Sequence, residues 1–289
     1  MRHSISAPAK INLYLDVLSK MENGYHNIKS VMQTISLFDE ITLAVQKSNS
    51  NKINIDGSRS KIAWDKTNLV YKACEIFLKQ SKLNGYTINL FVEKKIPISA
   101  GMAGGSTDAA GTLLLLNQAF GDIFTEKELC EMGATLGADV PFCIMGGTCL
   151  CEGVGERLTP LKCFSDKFLV CAIDQSSVST PKAYQLLDEK YGTECTDSAN
   201  IENLLACIEN DDLKGVSSLL FNKFESVISP LLPNVDKIKS ILAENGAIGT
   251  LMSGSGPSVF GIFETEEAQA NAYFALLKEE ISAFLCKTI

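Results

Sequence analysis

No apolar run in this sequence reaches the ~18–20 residues that a bilayer-spanning helix needs, which excludes a membrane span. Nor is there a block of Lys and Arg, or an interleaving of basic with aromatic residues, and the formal net charge is −8. Nucleic acid is thereby excluded as a partner. An anionic ligand would have to be held by local donors rather than drawn in by the field of the whole protein. Histidine occurs only twice, so a histidine-based metal site is not expected, and no residue is singled out as a metal ligand. The ten cysteines include no C-x-x-C pair. Cys149 and Cys151 come closest, at a spacing that suits neither metal nor redox chemistry. Cys74, Cys143, Cys171 and Cys207 sit in apolar surroundings, where a free thiol behaves as a small hydrophobe. The opening "MRHSISAPAKINLYLDV" shows neither an apolar signal core nor an Arg/Ser-rich transit segment, so the expectation is a soluble cytoplasmic protein. Repeats and low-complexity segments are missing, and so are G-x-x-x-x-G-K-[ST], G-x-G-x-x-G after a strand, H-R-D and D-F-G.

What is present is a mixture of strand and helix periods. With 289 residues and 46% hydrophobic content, the chain can bury one large core or two modest ones. Residues 2–57 read as strands, "SISAPAKINLYLDVL", "YHNIKSVMQTISL", "EITLAVQ" and "KINIDG", with Asn23-Gly24 as the clearest turn. Helical spacing of Leu69, Ala73, Ile76 and Phe77 predicts a helix from Asn68 to Ser81. The strand "YTINLFVE" then leads through Lys94-Lys95 into a loop of small residues and an apolar helix. A helix over 126–136 ends at "GADVP", and "GGTCLCEGVGERLTPL" reads as strand and turn. The polar stretch "PLKCFSDK" at 160–167 marks a boundary, which gives domains 1–163 and 164–289. Beyond it lie the strand "FLVCAID", helices near 180–190, 198–208, 211–220 and 234–245, the strands "IGTLMS" and "SVFGIF" around "GSGP", and a long terminal helix. The fold class is α+β.

The loop "PISAGMAGGST", Pro97 to Thr107, carries the strongest chemical signal. A helix start leaves backbone N–H groups unpaired and puts partial positive charge there. Glycines ahead of it let the backbone approach a ligand closely, so Gly101, Gly104, Gly105, Ser106 and Thr107 together point to a phosphate cradle. The bland alternative is a tight turn with Ser106 or Thr107 as the helix cap. In "ISAPAKINLYL" the two-residue period puts Lys10, Asn12 and Tyr14 on one strand face, either solvated or lining a cleft where Lys10 neutralises an oxyanion. Asp139, ahead of Val-Pro, reads locally as a helix N-cap. "SGSGPS" at 253–258 is either a plain turn or a second glycine loop closing on a ligand.

"PAKINLYL", "PISAGMAGGSTDAAG" and "LMSGSGPSVFG" resemble, in order, the three motifs of the GHMP small-molecule kinases. "NGYH", "LGADVPF" and "EGVGERLTPL" resemble the subgroup that acts on 4-diphosphocytidyl-2-C-methyl-D-erythritol, and the likeness runs from about residue 5 to 263. One departure is that the loop has Ser99-Ala100 and Met102-Ala103 where the family is usually richer in glycine. The resemblance implies a two-domain fold, an N-terminal α+β nucleotide-binding domain and a ferredoxin-like C-terminal domain, with the active site in the cleft between them. It implies ATP- and Mg²⁺-dependent phosphorylation of the 2-hydroxyl of that cytidine diphosphate sugar alcohol, a step of the non-mevalonate isoprenoid route, by a monomer or homodimer. Lys10 and Asp139 match the catalytic pair, which sets aside the bland reading of both. Pro97, Ile98, Ser99, Ala100, Gly101, Met102, Ala103, Gly104, Gly105, Ser106 and Thr107 match the segment that wraps the ATP phosphates, and Asn68 a position near the adenine. Asn12, Tyr25, His26 and Tyr184 match substrate-binding positions, with Tyr25 and Tyr184 able to sandwich the cytosine. Asp108 is read as structural, a negative charge in a first helical turn. The alternatives are another kinase of the family, such as one for homoserine or mevalonate, and a non-catalytic binding protein of the same fold.

Overall fold

The computed structural model describes residues 2–173, 176, 178–192 and 201–289. In chain order the elements among the described residues are β1 (Arg2–Lys20), β2 (His26–Lys47), β3 (Lys52–Gly57), α1 (Leu69–Ser81), β4 (Tyr86–Glu93), α2 (Gly104–Ala119), α3 (Glu126–Leu136), α4 (Val140–Met145), β5 (Thr148–Gly153), β6 (Arg157–Pro160), β7 (Phe168–Ile173), α5 (Thr180–Tyr191), α6 (Ile201–Glu209), α7 (Leu213–Ser218), β8 (Phe221–Asn222), α8 (Glu225–Ile228), α9 (Pro233–Glu244), β9 (Gly249–Met252), β10 (Ser258–Phe263), α10 (Glu266–Lys278) and β11 (Ser282–Lys287). No helix among them is long and apolar enough to cross a membrane. The chain forms two compact units, one of Met1–Ala9, Leu37–Ile98 and Ala103–Gly146, the other of Lys10–Ser36, Ser99–Met102 and Gly147–Ile289. Strands β1 and β2 each contribute one part to the first unit and the other to the second.

In the first unit, β3 pairs parallel with β4, and β4 pairs antiparallel with the later half of β2, from Glu40 opposite Glu93 to Lys47 opposite Tyr86. Helix α2 is apolar nearly all round, as a helix buried on most sides must be, and Leu113, Leu115 and Leu116 are fully buried. Gly111 sits mid-helix because an added Cβ would come within 2.7 Å of Ile41 Cδ1 and 3.2 Å of Ala7 Cβ. Its absence lets α2 lie close against β1 and β2. The polar caps follow local rules: Asn68 caps α1 by accepting from the Val70 N–H, and Thr125 with Glu128 closes a capping box on α3.

In the second unit, the early half of β2 pairs antiparallel with β5, β5 forms a hairpin with β6, and β1 pairs parallel with β8 at Tyr14 and Leu15. A separate four-stranded sheet has the order β11-β7-β10-β9. Its neighbours are all antiparallel. Counted as strands one to four, β7, β9, β10 and β11 stand in the order 4-1-3-2, with α5–α9 in the first crossover and α10 in the second. That is the ferredoxin-like β-α-β-β-α-β arrangement. Its core gathers Val170, Ile228, Ile238, Leu242, Val259 and Leu276.

Several elements differ from the sequence reading, among them β8 and α8, which it does not include, and α7, which is shorter than the expected 211–220. Strand β2 runs unbroken through Phe38-Asp39, which reads as a break between two strands. Asp39 is tolerated mid-strand because it is buried with hydrogen-bond and ion partners from a distant segment. The chain ends in a strand, β11, and the terminal helix stops at Lys278. The helix expected over 198–208 is seen from Ile201 to Glu209, and residues 198–200, like Asp174 of the expected "FLVCAID" strand, lie outside the described residues.

Candidate active site

The segment between β4 and α2 takes left-handed backbone at alternate residues: Ser99 (φ 54°), Gly101 (φ 73°) and Ala103 (φ 59°). For a residue with a Cβ this conformation costs about 1–2 kcal/mol, so Ser99 and Ala103 are held where glycine would be more comfortable. Alternation of this kind turns successive N–H groups to one side and makes an anion-binding concavity. Helix α2 then starts at Gly104 with Ala103 in the capping position and no side-chain cap. The expectation of a Ser106 or Thr107 cap is therefore corrected. Thr107 Oγ1 instead donates to the Pro8 carbonyl at 2.6 Å, and the Ser106 hydroxyl lies 3.9 Å from where a Cβ on Gly137 would stand. A helix end without a side-chain cap, with the dipole behind it, is a place suited to an anion.

The glycines here have separate reasons. A Cβ on Gly104 would press on Ile96 Cγ2 at 3.2 Å and Lys94 Nζ at 3.4 Å. On Gly105, which is exposed, it would meet nothing nearer than Leu69 Cδ1 at 3.8 Å. On Gly101 it would run into the Ser253 carbonyl and reach within 3.3 Å of the Gly256 nitrogen.

In the second unit, residues 99–102 are fastened to the 253–258 loop. Ser253 Oγ donates to the Gly101 carbonyl at 3.1 Å, and Ser258 Oγ donates to the Ala100 carbonyl. Asn222 Nδ2 holds the other side of that loop, through the Met252 carbonyl at 2.6 Å and the Gly254 carbonyl at 2.8 Å. Lys10, buried on β1, donates from Nζ to Asn12 Oδ1 at 2.7 Å, and its own N–H reaches the Met102 carbonyl at 3.3 Å. Asn12 Oδ1 also accepts from the Gly254 N–H at 3.1 Å, while Nδ2 donates to Ser30 Oγ at 2.8 Å and Ser30 to the Tyr14 carbonyl at 2.6 Å. Asn12 is 1% exposed, and its amide aims Lys10 and joins it to the 253–258 loop.

The same unit brings His26 and Tyr184 together as stacked rings, 4.5 Å apart and 18° from parallel. His26 is buried, not projecting from the hairpin tip, and Tyr25 beside it is 65% exposed. One face of Tyr184 is thus covered by His26, and Phe224 meets it edge-on at 5.0 Å. His26 Nε2 lies 2.8 Å from Asp188 Oδ1, and a carboxylate only accepts, so Nε2 carries the proton. Lys20 donates to the other Asp188 oxygen at 2.6 Å. Desolvation pushes the Asp188 carboxyl up, but the bonds from Lys20 and His26 outweigh it and hold the group below its ordinary range.

Asp139 belongs to the first unit. It stands at the N-cap position of α4, yet its backbone is helical and its side chain makes no capping bond, which corrects the local reading. Asn68 uses both ends of its amide, capping α1 by accepting from the Val70 N–H and donating to the Ala63 carbonyl ahead of the helix, each at 2.9 Å. Asp108 is not in the first turn of α2 but a full turn in, buried and ion-paired with Lys94 at 2.5 Å.

Sequence reasoning missed Ser30, Asn222, Ser253, Ser258, Asp188 and the Asp39–Lys94 pair. Ser253 and Ser258 lay inside a quoted motif and could have been flagged; the others carry no local signal. Among the described residues no group of three His, Cys, Asp or Glu could hold a metal ion. A Mg²⁺ that arrives on a nucleotide keeps mostly phosphate and water ligands, so the residues present suit such an ion, and the uncapped α2 end suits the phosphates.

The N-terminal domain of the GHMP kinases matches residues 68–147 and their C-terminal domain residues 204–282. The 4-diphosphocytidyl-2-C-methyl-D-erythritol kinase of Lachnoclostridium phytofermentans is 42% identical over 274 residues, 94% of this chain and 91% of the relative. That of Clostridium novyi is 40% identical over 283 residues, covering 98% and 99%. A crystal structure of 4-(cytidine 5'-diphospho)-2C-methyl-D-erythritol kinase superposes with a TM-score of 0.80 at 30% identity over 99% of both chains. Homoserine kinase from Cytophaga hutchinsonii also gives 0.80, at 18% identity over 100% and 94%, a likeness of fold alone. With both domains matched and relatives aligned along nearly its whole length, the chain belongs to the GHMP kinase family.

Proposed function

We propose that this chain transfers the γ-phosphoryl group of ATP to the 2-hydroxyl of 4-diphosphocytidyl-2-C-methyl-D-erythritol, a step in the non-mevalonate supply of isoprenoid precursors. The observation that carries the reading is the agreement of relatives of that one activity at 40–42% identity over at least 91% of both lengths. Bound ATP with Mg²⁺ supplies the phosphoryl group and offsets its charge. The chain's own part is position and electrostatics. The uncapped end of α2 and the left-handed residues 99, 101 and 103 hold the phosphates. Asn12 fixes Lys10, whose ammonium holds the charge that develops on the hydroxyl oxygen and the γ-phosphate. Asp139 directs the hydroxyl or takes its proton. Asn68 lies near the adenine, and Tyr25, His26 and Tyr184 enclose the cytosine, with Asp188 setting the His26 ring.

We place the domain boundary at 163/164, inside the gap between the family-domain matches, which end at 147 and resume at 204. The absence of any apolar helix long enough for a membrane among the described residues is consistent with a cytoplasmic enzyme. A coupled ADP-release assay across alcohols tests the assignment: the cytidine compound should be phosphorylated, and homoserine and mevalonate should not. Equal turnover of methylerythritol phosphate lacking cytidine would overturn the substrate and leave only a kinase of the family.

A further inference from the structure

Both feet of the 97–103 loop are tied to one buried chain of charges. Asp39 on β2 is fully buried, and its Oδ1 accepts from the Lys95 N–H at 2.6 Å and the Ile96 N–H at 2.8 Å, the last two residues before the loop. Its Oδ2 takes Lys94 Nζ. The same Nζ donates to the Gly104 carbonyl at 3.2 Å and to Asp108 Oδ2 at 2.5 Å, both on the first turns of α2 just after the loop. The ammonium thus meets three acceptors with its three protons. Lys94 and Asp108 are each 5% exposed.

We infer that Asp39, Lys94 and Asp108 are positioning residues for the nucleotide: they set the separation and direction of the two ends of the phosphate loop. The inference rests on the reading of residues 97–107 as the ATP phosphate segment. Stability alone does not explain the arrangement. Buried ion networks are often no more stable than apolar residues of the same volume. This one also leaves Asp108 Oδ1 buried without a hydrogen-bond partner, a cost a simple staple would avoid. What charges at these places provide, and apolar side chains cannot, is a set of directional bonds to the backbone at residues 95, 96 and 104. Gly104 serves the same end, since a Cβ there would press on Lys94 Nζ. Burial pushes the Asp108 carboxyl up to about 8, and Asp39 adds to the effect against the pull of Lys94. Asparagine keeps the volume and an acceptor facing Lys94 Nζ, so it is a close copy of Asp108.

The test compares Asp108→Ala with Asp108→Asn by calorimetry against a non-hydrolysable ATP analogue, at a temperature where circular dichroism shows each variant folded. Asp108→Ala frees one Lys94 proton and the α2 end, and a shift of about an ångström costs up to ~10²-fold. The expected result is a ten- to hundred-fold rise in analogue Kd and in KM for ATP, with KM for the cytidine substrate within about twofold of wild type. Asp108→Asn keeps the acceptor and the volume and should stay within about threefold of wild type for both. If Asp108→Ala does not fold, Lys94→Gln, which keeps most of the stem but too few donors, carries the same expectation. A lower melting temperature with unchanged analogue Kd would overturn the inference and leave the triad a fold staple. An equal loss in Asp108→Asn and Asp108→Ala, or an equal rise in KM for both substrates, would overturn it too. Wild-type protein that fails to bind the analogue would refute the ATP reading itself, and this inference with it.

Discussion

Gly105→Ala separates what the protein needs from what a ligand needs. Gly105 is the second residue of α2, it is exposed, and it does not use left-handed backbone. An added methyl would come no closer to any neighbour than 3.8 Å, an ordinary contact with Leu69 Cδ1. Within a helix, alanine is favoured over glycine by about 0.5–1 kcal/mol. The variant should therefore be more stable by that amount, which for a chain of this size raises the thermal midpoint by roughly 1–4 °C. For ATP the sign reverses. On the proposed phosphate placement, the methyl would stand on the uncapped helix end between the first N–H groups and the phosphates, and would hold these off by about an ångström. A displacement of that size costs up to ~10²-fold, so the Kd of a non-hydrolysable analogue should rise ten- to hundred-fold, about 1.4–2.7 kcal/mol. Differential scanning fluorimetry without nucleotide and calorimetry with the analogue give the two numbers on one preparation. A variant that is more stable and binds more weakly supports the phosphate placement. Unchanged affinity would refute it, and a lower midpoint would refute the claim that no protein atom requires this glycine.

Asp139→Asn should cut kcat by ~10²–10⁴-fold, as loss of a general base does, while analogue binding stays near wild type; a kcat within a few-fold would remove Asp139 from the chemistry. Tyr25→Ala should raise KM for the cytidine substrate ten- to hundred-fold if the exposed ring stacks on the base, a contact worth ~1–3 kcal/mol, with unchanged thermal midpoint and unchanged KM for ATP. Equal KM values would mean that Tyr25 does not touch the base. Asp188→Ala frees the His26 ring, and a hydrogen bond to a charged group is worth ~1.5–3 kcal/mol, so the same KM should rise roughly tenfold and discrimination against the uridine analogue should fall. Intact discrimination would show that Asp188 does not orient His26. For pH, the folded pKa of Asp108 lies above its unfolded value of 3.8, at about 8. The folded state holds this proton longer, so its contribution to stability is present below pH ~4, declines as pH rises towards 8, and is lost above that. Measured by urea unfolding, wild type should lose ground to Asp108→Asn across that window, and parallel curves would refute the shift.

The parts of the fold that rest on local chemistry were legible. Helix α3 reads at 126–136 and closes in the structure with a Thr125–Glu128 capping box, and α1 reads from the apolar residues at helical spacing after Asn68. Strand β2 reads as two strands parted at Phe38-Asp39 because the partners that make a buried Asp39 tolerable are 55 residues or more away in the chain. The cap alternatives at Asp139 and at Ser106 or Thr107 fail for one reason. The residue types suit a cap, but tertiary contacts and the site itself decide where the side chains go, as Thr107 shows by bonding to Pro8. Positive φ at Ser99 and Ala103 could not be read from residues that normally avoid it. Motif resemblance marked Lys10, Asn12 and the 253–258 loop; that Asn12 joins the other two is knowledge only coordinates supply.

Gly101 and Gly254 constrain each other in a way that leaves sequence variation no exit. A Cβ on Gly101 would collide with the Ser253 carbonyl, and a Cβ on Gly254 would stand 3.0 Å from the Gly101 carbonyl. Each obstacle is main chain, so no smaller side chain opposite can make room. Most core contacts can drift by paired changes, one residue growing as its neighbour shrinks. Here neither partner has anything left to remove, and both also use positive φ. A population of random variants that retain ATP turnover should be empty of changes at these two glycines, a mutational dead end set by backbone meeting backbone.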